Sequence, residues 1–153
     1  NYHITSFDFN EVISETIEDA RKSAPGYTIM QESNIRQNVK GDKFRIQQVV
    51  INLLSNAIKY SPENKNISVN VSEVNNIIEV AIKDNGIGIS KENVENIFEK
   101  YYRVTHESAH FDGLGIGLFI SFEIIQRHHG KMWVESEPGK GSTFCFTIPT
   151  DLE

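Results

Sequence analysis

Residues 80–89 read V-A-I-K-D-N-G-I-G-I and place an acidic side chain where the apolar face of a strand should continue. Ile78, Val80 and Ile82 alternate with charged or small residues, so their side chains point to one face of a strand. Asp84 continues this alternation. A carboxylate on the core-facing side costs free energy unless a partner satisfies it. Because two glycines follow and allow close approach to the backbone, Asp84 is a candidate ligand-binding residue.

The composition predicts one globular domain. The chain has 153 residues, of which 39% are hydrophobic and 24% are charged. Its net charge is −6 and it has no long basic block, so we expect no nucleic-acid partner and no electrostatic binding to an anionic membrane. Cys145, the single cysteine, lies between two phenylalanines, which favours a packed thiol over a reactive one. We find neither a signal peptide nor an apolar run of transmembrane length, and we expect a domain excised from a longer protein.

Hydrophobic periodicity predicts three long helices. The first follows a capping box at Asp8 and ends near Pro25, and the second runs from the N-cap Asp42 to about Tyr60. The third opens at the glycine-rich segment 113–117 and ends at Gly130, which we expect to be a left-handed C-cap. A short helical segment over 91–99 follows Ser90.

The remaining segments predict short strands, at residues 27–33, 36–40, 67–72, 77–84, 131–136 and 142–149. Asn75-Asn76 marks the turn of a hairpin. Because helices are mixed with hairpins, we predict an α+β fold: a two-layer α/β sandwich whose mixed, mostly antiparallel sheet is covered on one face by about three helices.

The second predicted helix carries a narrow polar row. At 100° per residue, Asn52, Asn56 and Lys59 fall within about 60° of one another, while apolar side chains fill most of the remaining circumference. Asn is a poor residue inside a helix, because its side chain competes for backbone hydrogen bonds. Carboxamide oxygens can ligate Mg²⁺, and Lys can pair with phosphate. The row therefore indicates a phosphate-binding wall, with a plain solvated edge as the alternative.

Three glycine-rich segments follow, at 84–88, 113–117 and 139–143. None has the spacing of the dinucleotide fingerprint or of the P-loop. Glycines at a helix N-terminus leave backbone N–H groups open to an anion, so segment 113–117 is a candidate anion site or else a tight loop-to-helix junction. Segment 139–143, taken alone, is typical of a turn between strands.

Together these segments resemble the ATP-binding catalytic domain of bacterial sensor histidine kinases, whose fold is shared with gyrase, the heat-shock chaperone and the mismatch-repair ATPases. The family's asparagine box is similar to Q-V-V-I-N-L-L-S-N-A-I-K-Y at 48–60, and its phenylalanine box to I-F-E-K-Y-Y-R at 97–103. Its three glycine boxes are similar to segments 84–89, 113–118 and 139–143, in the same order. The resemblance implies a Bergerat-type ATP-binding fold over residues 7–150, with short tails at 1–6 and 151–153.

The resemblance also implies the site. Asp84 would accept a hydrogen bond from the adenine amino group, while Asn52 and Asn56 would hold Mg²⁺ and phosphate oxygens and would act in catalysis with Lys59 and Arg103. Residues 100–113 would form a lid. The further nucleotide contacts that it implies are Tyr60, Gly86, Gly88, Ile89, Tyr102, Gly113, Leu114, Gly115, Gly117 and Leu118.

Thr143 would help to position the adenine. Simple alternation puts its side chain on the face opposite Phe144 and Phe146, so this role requires an irregularity at the end of the strand.

The resemblance implies transfer of the ATP γ-phosphoryl group to a histidine of a separate dimerisation domain, and from there to a response regulator. None of the five histidines here resembles that acceptor. We expect a cytoplasmic domain that is monomeric alone, in a parent that can be anchored in the inner membrane. Three alternatives stay open: an anti-sigma-factor type of serine kinase, an ATPase clamp of the gyrase and chaperone kind, and a nucleotide sensor without transfer.

Overall fold

The computed structural model describes residues 1–35, 37–99 and 116–151. In chain order its elements are β1 (Thr5–Phe7), α1 (Phe9–Ser23), β2 (Thr28–Ser33), β3 (Val39–Gly41), α2 (Lys43–Lys59), β4 (Asn66–Val74), β5 (Ile77–Asp84), α3 (Lys91–Val94), α4 (Ile116–Arg127), β6 (Lys131–Ser136) and β7 (Ser142–Pro149). Among these described helices, none is long and apolar enough to cross a membrane.

Five of the strands form one sheet in the order β2-β4-β5-β7-β6. The β2–β4 pair is parallel and the other three pairs are antiparallel. The two short strands β1 and β3 pair antiparallel in a small second sheet. The predicted α+β fold with a mixed, mostly antiparallel sheet is therefore confirmed.

One face of the large sheet forms the core with helices α1, α2 and α4. The side chains that alternate onto this face are almost fully buried, and they are Ile67, Val69 and Val71 of β4, Ile78, Val80 and Ile82 of β5, and Phe144, Phe146 and Ile148 of β7. The opposite face carries exposed polar side chains such as Asn70, Glu79 and Lys83. This one-sided burial is the pattern expected of an antiparallel sheet with helices on one side.

Helix α2 is the central helix of the buried layer. It starts where its sequence predicts, because the Asp42 carboxylate accepts a hydrogen bond from the Arg45 backbone N–H and so caps the first turn. Six of its apolar side chains are buried: Ile46, Val49, Val50, Leu53, Leu54 and Ala57. The polar row of the helix therefore lies on a surface that the core does not cover.

Three predicted boundaries differ from the structure. Where a strand was expected over 36–40, the structure has β3 at Val39–Gly41, and the helix expected over 91–99 covers only Lys91–Val94. Helix α4 ends at Arg127, and His129 rather than Gly130 adopts the left-handed conformation, with φ of 60°.

The first residues of the chain pack against the domain. Strand β1 begins at Thr5, and the His3 backbone N–H donates to the Asp42 carboxylate at 2.8 Å. The Tyr2 ring lies 5.6 Å from the His128 ring. The domain limits at residues 7 and 150 stay a prediction.

Candidate functional site

Asp84 is the last residue of β5, and its side chain is buried, with 1% of its surface exposed. Its carboxylate accepts a hydrogen bond from the Gly86 backbone N–H at 2.9 Å. Burial raises the pKa of the Asp84 carboxyl, against the lowering effect of the backbone N–H groups of Gly86 and Ser142. The sequence therefore places an acid in the core, as its alternation predicts, and backbone donors hold it there.

The loop after Asp84 packs against the end of α2. The Ile87 backbone N–H donates to the Tyr60 carbonyl oxygen at 3.0 Å. A Cβ atom added to Gly86 would lie 1.8 Å from that same oxygen, so only glycine allows the contact. This contact brings together the first glycine segment and the end of the helix that carries the polar row.

The third glycine segment packs against the first. The Gly139 backbone N–H donates to the Ile87 carbonyl oxygen at 2.7 Å, and the Ile89 backbone N–H donates to the Ser136 hydroxyl at 2.7 Å. Gly88 lies between these bonds with φ of 74°. Segments far apart in sequence thus form one continuous wall beside Asp84.

The polar row of α2 faces α4. Asn52 and Asn56 are half-buried, and Lys59 is exposed. The Asn52 side-chain nitrogen donates to the Gly117 carbonyl oxygen at 3.2 Å and contacts the Ser121 hydroxyl at 3.1 Å. Helix α2 therefore presents carboxamides and one ammonium group, and α4 fixes the first of the carboxamides.

Thr143 does not lie on the same face of the sheet as Asp84. It pairs with Lys83 in the β5–β7 register, whereas Asp84 pairs with Ser142. Strand β7 alternates regularly here, so Thr143 points to the opposite face, where it lines a shallow surface cavity with Lys83 and Lys140. The strand-end irregularity that the adenine role of Thr143 requires is therefore not found, and Ser142 is the β7 residue opposite Asp84. The adenine role of Thr143 itself stays a prediction.

Ser142 is a candidate site residue that sequence reasoning missed. It is buried, and its hydroxyl lies 2.7 Å from the Ser136 hydroxyl. The Ser136 hydroxyl donates to the Gly141 carbonyl oxygen at 2.9 Å, so the hydrogen between the two serines belongs to Ser142. The Ser142 oxygen thus keeps its lone pairs for another donor. The alternation that puts Thr143 on the opposite face was the signal that could have found it.

Of the other predicted nucleotide-binding residues, some lie in the described part of the chain and some do not. Ile89 and Leu118 are buried, and Tyr60 is the half-buried C-cap residue of α2. Five more predicted residues lie outside the described part of the chain, as does the predicted lid: Tyr102, Arg103, Gly113, Leu114 and Gly115.

The described residues fit magnesium only in combination with a nucleotide. Within residues 1–35, 37–99 and 116–151, no group of three or more His, Cys, Asp or Glu side chains could hold a metal ion. Mg²⁺ commonly keeps several waters and takes its other ligands from one or two protein oxygens and from substrate phosphates. The carboxamide oxygens of Asn52 and Asn56 fit this limited protein share.

Curated relatives of this chain are sensor kinases. It is 42% identical over 114 residues to sensor histidine kinase WalK of Bacillus subtilis, and this match covers 72% of the chain and 19% of WalK. It is 38% identical over 146 residues to the adaptive-response sensory kinase SasA of Thermosynechococcus vestitus, covering 93% of the chain and 38% of SasA. The chain thus spans less than two fifths of the length of either relative.

Solved structures of similar fold include the nucleotide-free catalytic domain of histidine kinase ThkA, with a TM-score of 0.84, 30% identity and 99% coverage of both chains. ThkA in complex with the response regulator protein TrrA matches with a TM-score of 0.80 and 30% identity, covering 96% of this chain and 42% of ThkA. The family described as "Histidine kinase-, DNA gyrase B-, and HSP90-like ATPase" matches residues 41–152. The resemblance drawn from the five sequence motifs is therefore confirmed, and the chain belongs to this ATPase family.

Proposed function

We propose that this chain is the ATP- and Mg²⁺-binding catalytic domain of a two-component sensor histidine kinase. The observation that carries the proposal is Asp84, a buried carboxylate held by backbone N–H groups at the end of β5. A buried acceptor of this kind selects a ligand that offers a hydrogen-bond donor, because an unpaired carboxylate is costly in the core.

The adenine amino group is the donor that we assign to Asp84. The Ser142 hydroxyl lies on the same sheet face with lone pairs still available, so it can accept from the amino group or from a bridging water. A guanine base would present a carbonyl oxygen to Asp84 where adenine presents its amino group. The pair therefore favours adenine over guanine.

Asn52 and Asn56 would hold Mg²⁺ through their side-chain oxygens, and the bound ion would neutralise charge on the phosphates. Lys59, at the exposed end of α2, would bind a phosphate oxygen. We assign the same role to Arg103, which is outside the described residues. Phosphoryl transfer needs mainly positioning and charge neutralisation, and these residues supply both.

In the reaction, an imidazole nitrogen of an acceptor domain attacks the γ-phosphorus. A nitrogen–phosphorus bond forms, the bond to the bridging oxygen breaks, and ADP leaves with that electron pair. The ThkA structure with bound TrrA supports a response regulator as a partner, to which the phosphohistidine would pass the group. A cytoplasmic location follows from this role.

Hydrolysis is the second candidate, since the family includes ATPases. An ATPase of the gyrase kind would carry a glutamate one helical turn before Asn56, to activate water. Asn52 occupies that position here, and its nitrogen is bonded to α4. A carboxamide is a poor general base, so this arrangement favours transfer over hydrolysis.

The decisive experiment mixes the domain with γ-labelled ATP and the histidine-bearing acceptor domain of the same parent. We expect label on the acceptor that is lost in acid and kept in alkali, as for a phosphoramidate. Acid-stable label on a partner serine would instead identify a serine kinase. Rapid release of inorganic phosphate without an acceptor would identify an ATPase clamp.

Asp84→Asn should weaken ATP binding by roughly 1.5–3 kcal/mol, because a hydrogen bond to a charged acceptor is lost. Titration with a fluorescent ATP analogue measures this. Glu79→Gln is the matched control, because it makes the same acid-to-amide change on the exposed face of the same strand. Equal affinities of the two folded variants would remove Asp84 from the adenine site.

A further inference from the structure

We propose that Ser121 is a positioning residue that orients the carboxamide of Asn52, so that its oxygen is presented to the metal. This inference rests on the proposed function. Ser121 lies on α4, 69 residues from Asn52 in sequence, and its side chain is fully buried.

The orientation of the amide follows from its partners. The Gly117 carbonyl oxygen can only accept, so the Asn52 atom that lies 3.2 Å from it must be the nitrogen. The second N–H of the same nitrogen is directed to the Ser121 hydroxyl at 3.1 Å. Both donors are thereby engaged with α4, and the oxygen is on the arm of the amide that points away from those two contacts.

The two acceptors form a single recognition feature. Gly117 and Ser121 are four residues apart and therefore lie one above the other on the same face of α4. That face packs against α2. An aspartate in place of Asn52 could not bond to the Gly117 oxygen, because neither of its ionised oxygens can donate to a carbonyl.

A carboxamide has two orientations of nearly equal shape, and hydrogen bonds alone choose between them. The Gly117 oxygen makes this choice, because it can only accept, and the Ser121 hydroxyl then holds the chosen amide in place. With the amide turned over, the Asn52 oxygen would face the Gly117 oxygen and the NH₂ group would face the metal. An NH₂ group cannot ligate Mg²⁺, which takes oxygen ligands. Removing the Ser121 hydroxyl leaves one N–H without its acceptor, so the amide keeps only its bond to Gly117 and its oxygen is held less firmly toward the metal.

The test compares the affinity of a fluorescent ATP analogue with and without Mg²⁺. In Ser121→Ala we expect the Mg²⁺-dependent gain in affinity to fall about threefold to tenfold, and the metal-free affinity to stay unchanged. The side-chain NH₂ resonances of Asn52, assigned by their absence in Asn52→Ala, should shift. Thr16→Val is the control, because it removes another buried helix hydroxyl, on α1, and should change neither readout.

Three outcomes separate the inference from the proposed function. A Mg²⁺-specific loss in both Asn52→Ala and Ser121→Ala supports it. A loss in Asn52→Ala alone, with Ser121→Ala equal to wild type, overturns the role of Ser121 and leaves the proposed function standing. An unaltered Mg²⁺ response in Asn52→Ala overturns the inference. Failure of the proposed function is seen in a different experiment, as an unchanged ATP affinity in Asp84→Asn. If Ser121→Ala does not fold, Ser121→Cys, with a weaker acceptor of similar size, is compared in its place.

Discussion

At the scale of single residues, Asp84 is a charge that the fold keeps in its core. The carboxylate is buried beside Ile82 and Val80, and two backbone N–H groups offset only part of the loss of hydration. An asparagine at this position keeps the shape and an acceptor oxygen but carries no charge. In the proposed function this residue would serve binding at the expense of stability, a common relation at functional sites.

Asp84→Asn should accordingly fold at least as stably as the wild type at pH 7, with a free energy of unfolding equal or up to about 1 kcal/mol higher. Urea denaturation followed by circular dichroism measures this. A variant that is less stable by several kcal/mol would mean that the carboxylate stabilises the native state.

The pH dependence has a definite sign. Burial raises the pKa of Asp84 in the folded state, so its protonation favours folding: this contribution is fully present below the unfolded pKa and is lost as pH rises through the folded value. Relative to Asp84→Asn, the wild type should therefore gain stability as the pH falls from neutral toward 4. An opposite slope of the difference would contradict the raised pKa.

Alternation in sequence predicted the burial of Asp84, and the same rule applied to β7 identifies Ser142 rather than Thr143 as its neighbour. Nothing in the sequence singled out Ser121, because the bond to Asn52 joins two helices whose packing is a tertiary property. The sheet face on which a residue lies was predictable, because it follows from periodicity along one strand. A hydrogen bond between two helices was not, because it depends on how the helices pack.

At the scale of elements, the contact between α2 and the loop after β5 depends on a missing side chain. A Cβ on Gly86 would meet the Tyr60 carbonyl oxygen at 1.8 Å, which requires the backbone to move. We expect Gly86→Ala to lower the free energy of unfolding by about 1–3 kcal/mol, the scale of overpacking.

Gly117→Ala is the control for Gly86→Ala, because it makes the same substitution at a glycine that has room for a Cβ atom. A Cβ there would lie 3.6 Å from the Asn52 side chain, an ordinary contact, and alanine favours a helix by about 0.5–1 kcal/mol. Its stability should therefore equal or exceed that of the wild type. Thermal melts of the two variants test the contrast, and equal losses in both would show that the close approach at Gly86 relaxes freely.

His128 joins the end of α4 to the start of α2. Its Nδ1 lies 2.8 Å from the Ile124 carbonyl oxygen, so Nδ1 carries the hydrogen, and Nε2 accepts from the Asp42 backbone N–H at 3.0 Å. Burial lowers the pKa of His128, and the nearby His129 lowers it further, against the effects of Ile124 and Asp42. A proton on Nε2 would face another N–H.

The stability that neutral His128 contributes is therefore present above its unfolded pKa of about 6.5 and is lost as pH falls through the lower folded value. Compared with His128→Gln, which cannot titrate, the wild type should lose its advantage in unfolding free energy between pH 7.5 and 5. Urea titrations at several pH values measure this difference. A difference that is constant with pH would mean that the pKa of His128 is the same in the folded and unfolded states, and would contradict the lowered pKa.

The elements best predicted from sequence are those with their own signals. Helix α2 has a capping aspartate and an apolar face, and the β4–β5 hairpin has clean alternation around Asn75 and Asn76, which both adopt positive φ. Gly130 was predicted as a left-handed cap, yet it is required for a different reason: a Cβ there would lie 1.8 Å from the Thr147 oxygen. The local pattern identified the residue, and only the packing of β7 supplies the cause.

At the scale of the whole molecule, the strand order is the feature that sequence did not predict. Strand β7, the last in the chain, lies between β5 and β6. Strand β2 pairs parallel with β4, although β3 and the whole of α2 separate them in sequence. Such pairings join segments far apart in sequence, so periodicity within a strand cannot specify them. They also place the end of β5 beside the start of β7, which brings Asp84 next to Ser142.

The reactivity of the Cys145 thiol is a measure of how often this sheet opens. It pairs with Ala81 of β5 and Trp133 of β6, and only 3% of it is exposed. Burial, then Glu135 and Glu79, raise the pKa of its thiol to about 12. The thiolate is the reactive form, and at pH 8 a pKa of 12 leaves about one thiol in ten thousand ionised.

We therefore expect Cys145 to react with a thiol reagent only through opening of the sheet. Under native conditions the reaction should be slower than in 8 M urea by a factor set by the free energy of global unfolding, and it should accelerate with added urea in parallel with that free energy. Cys145→Ser gives the background. A reaction rate that does not change at low urea concentrations would instead indicate that β6, an edge strand, detaches locally. The sheet would then not open as one unit.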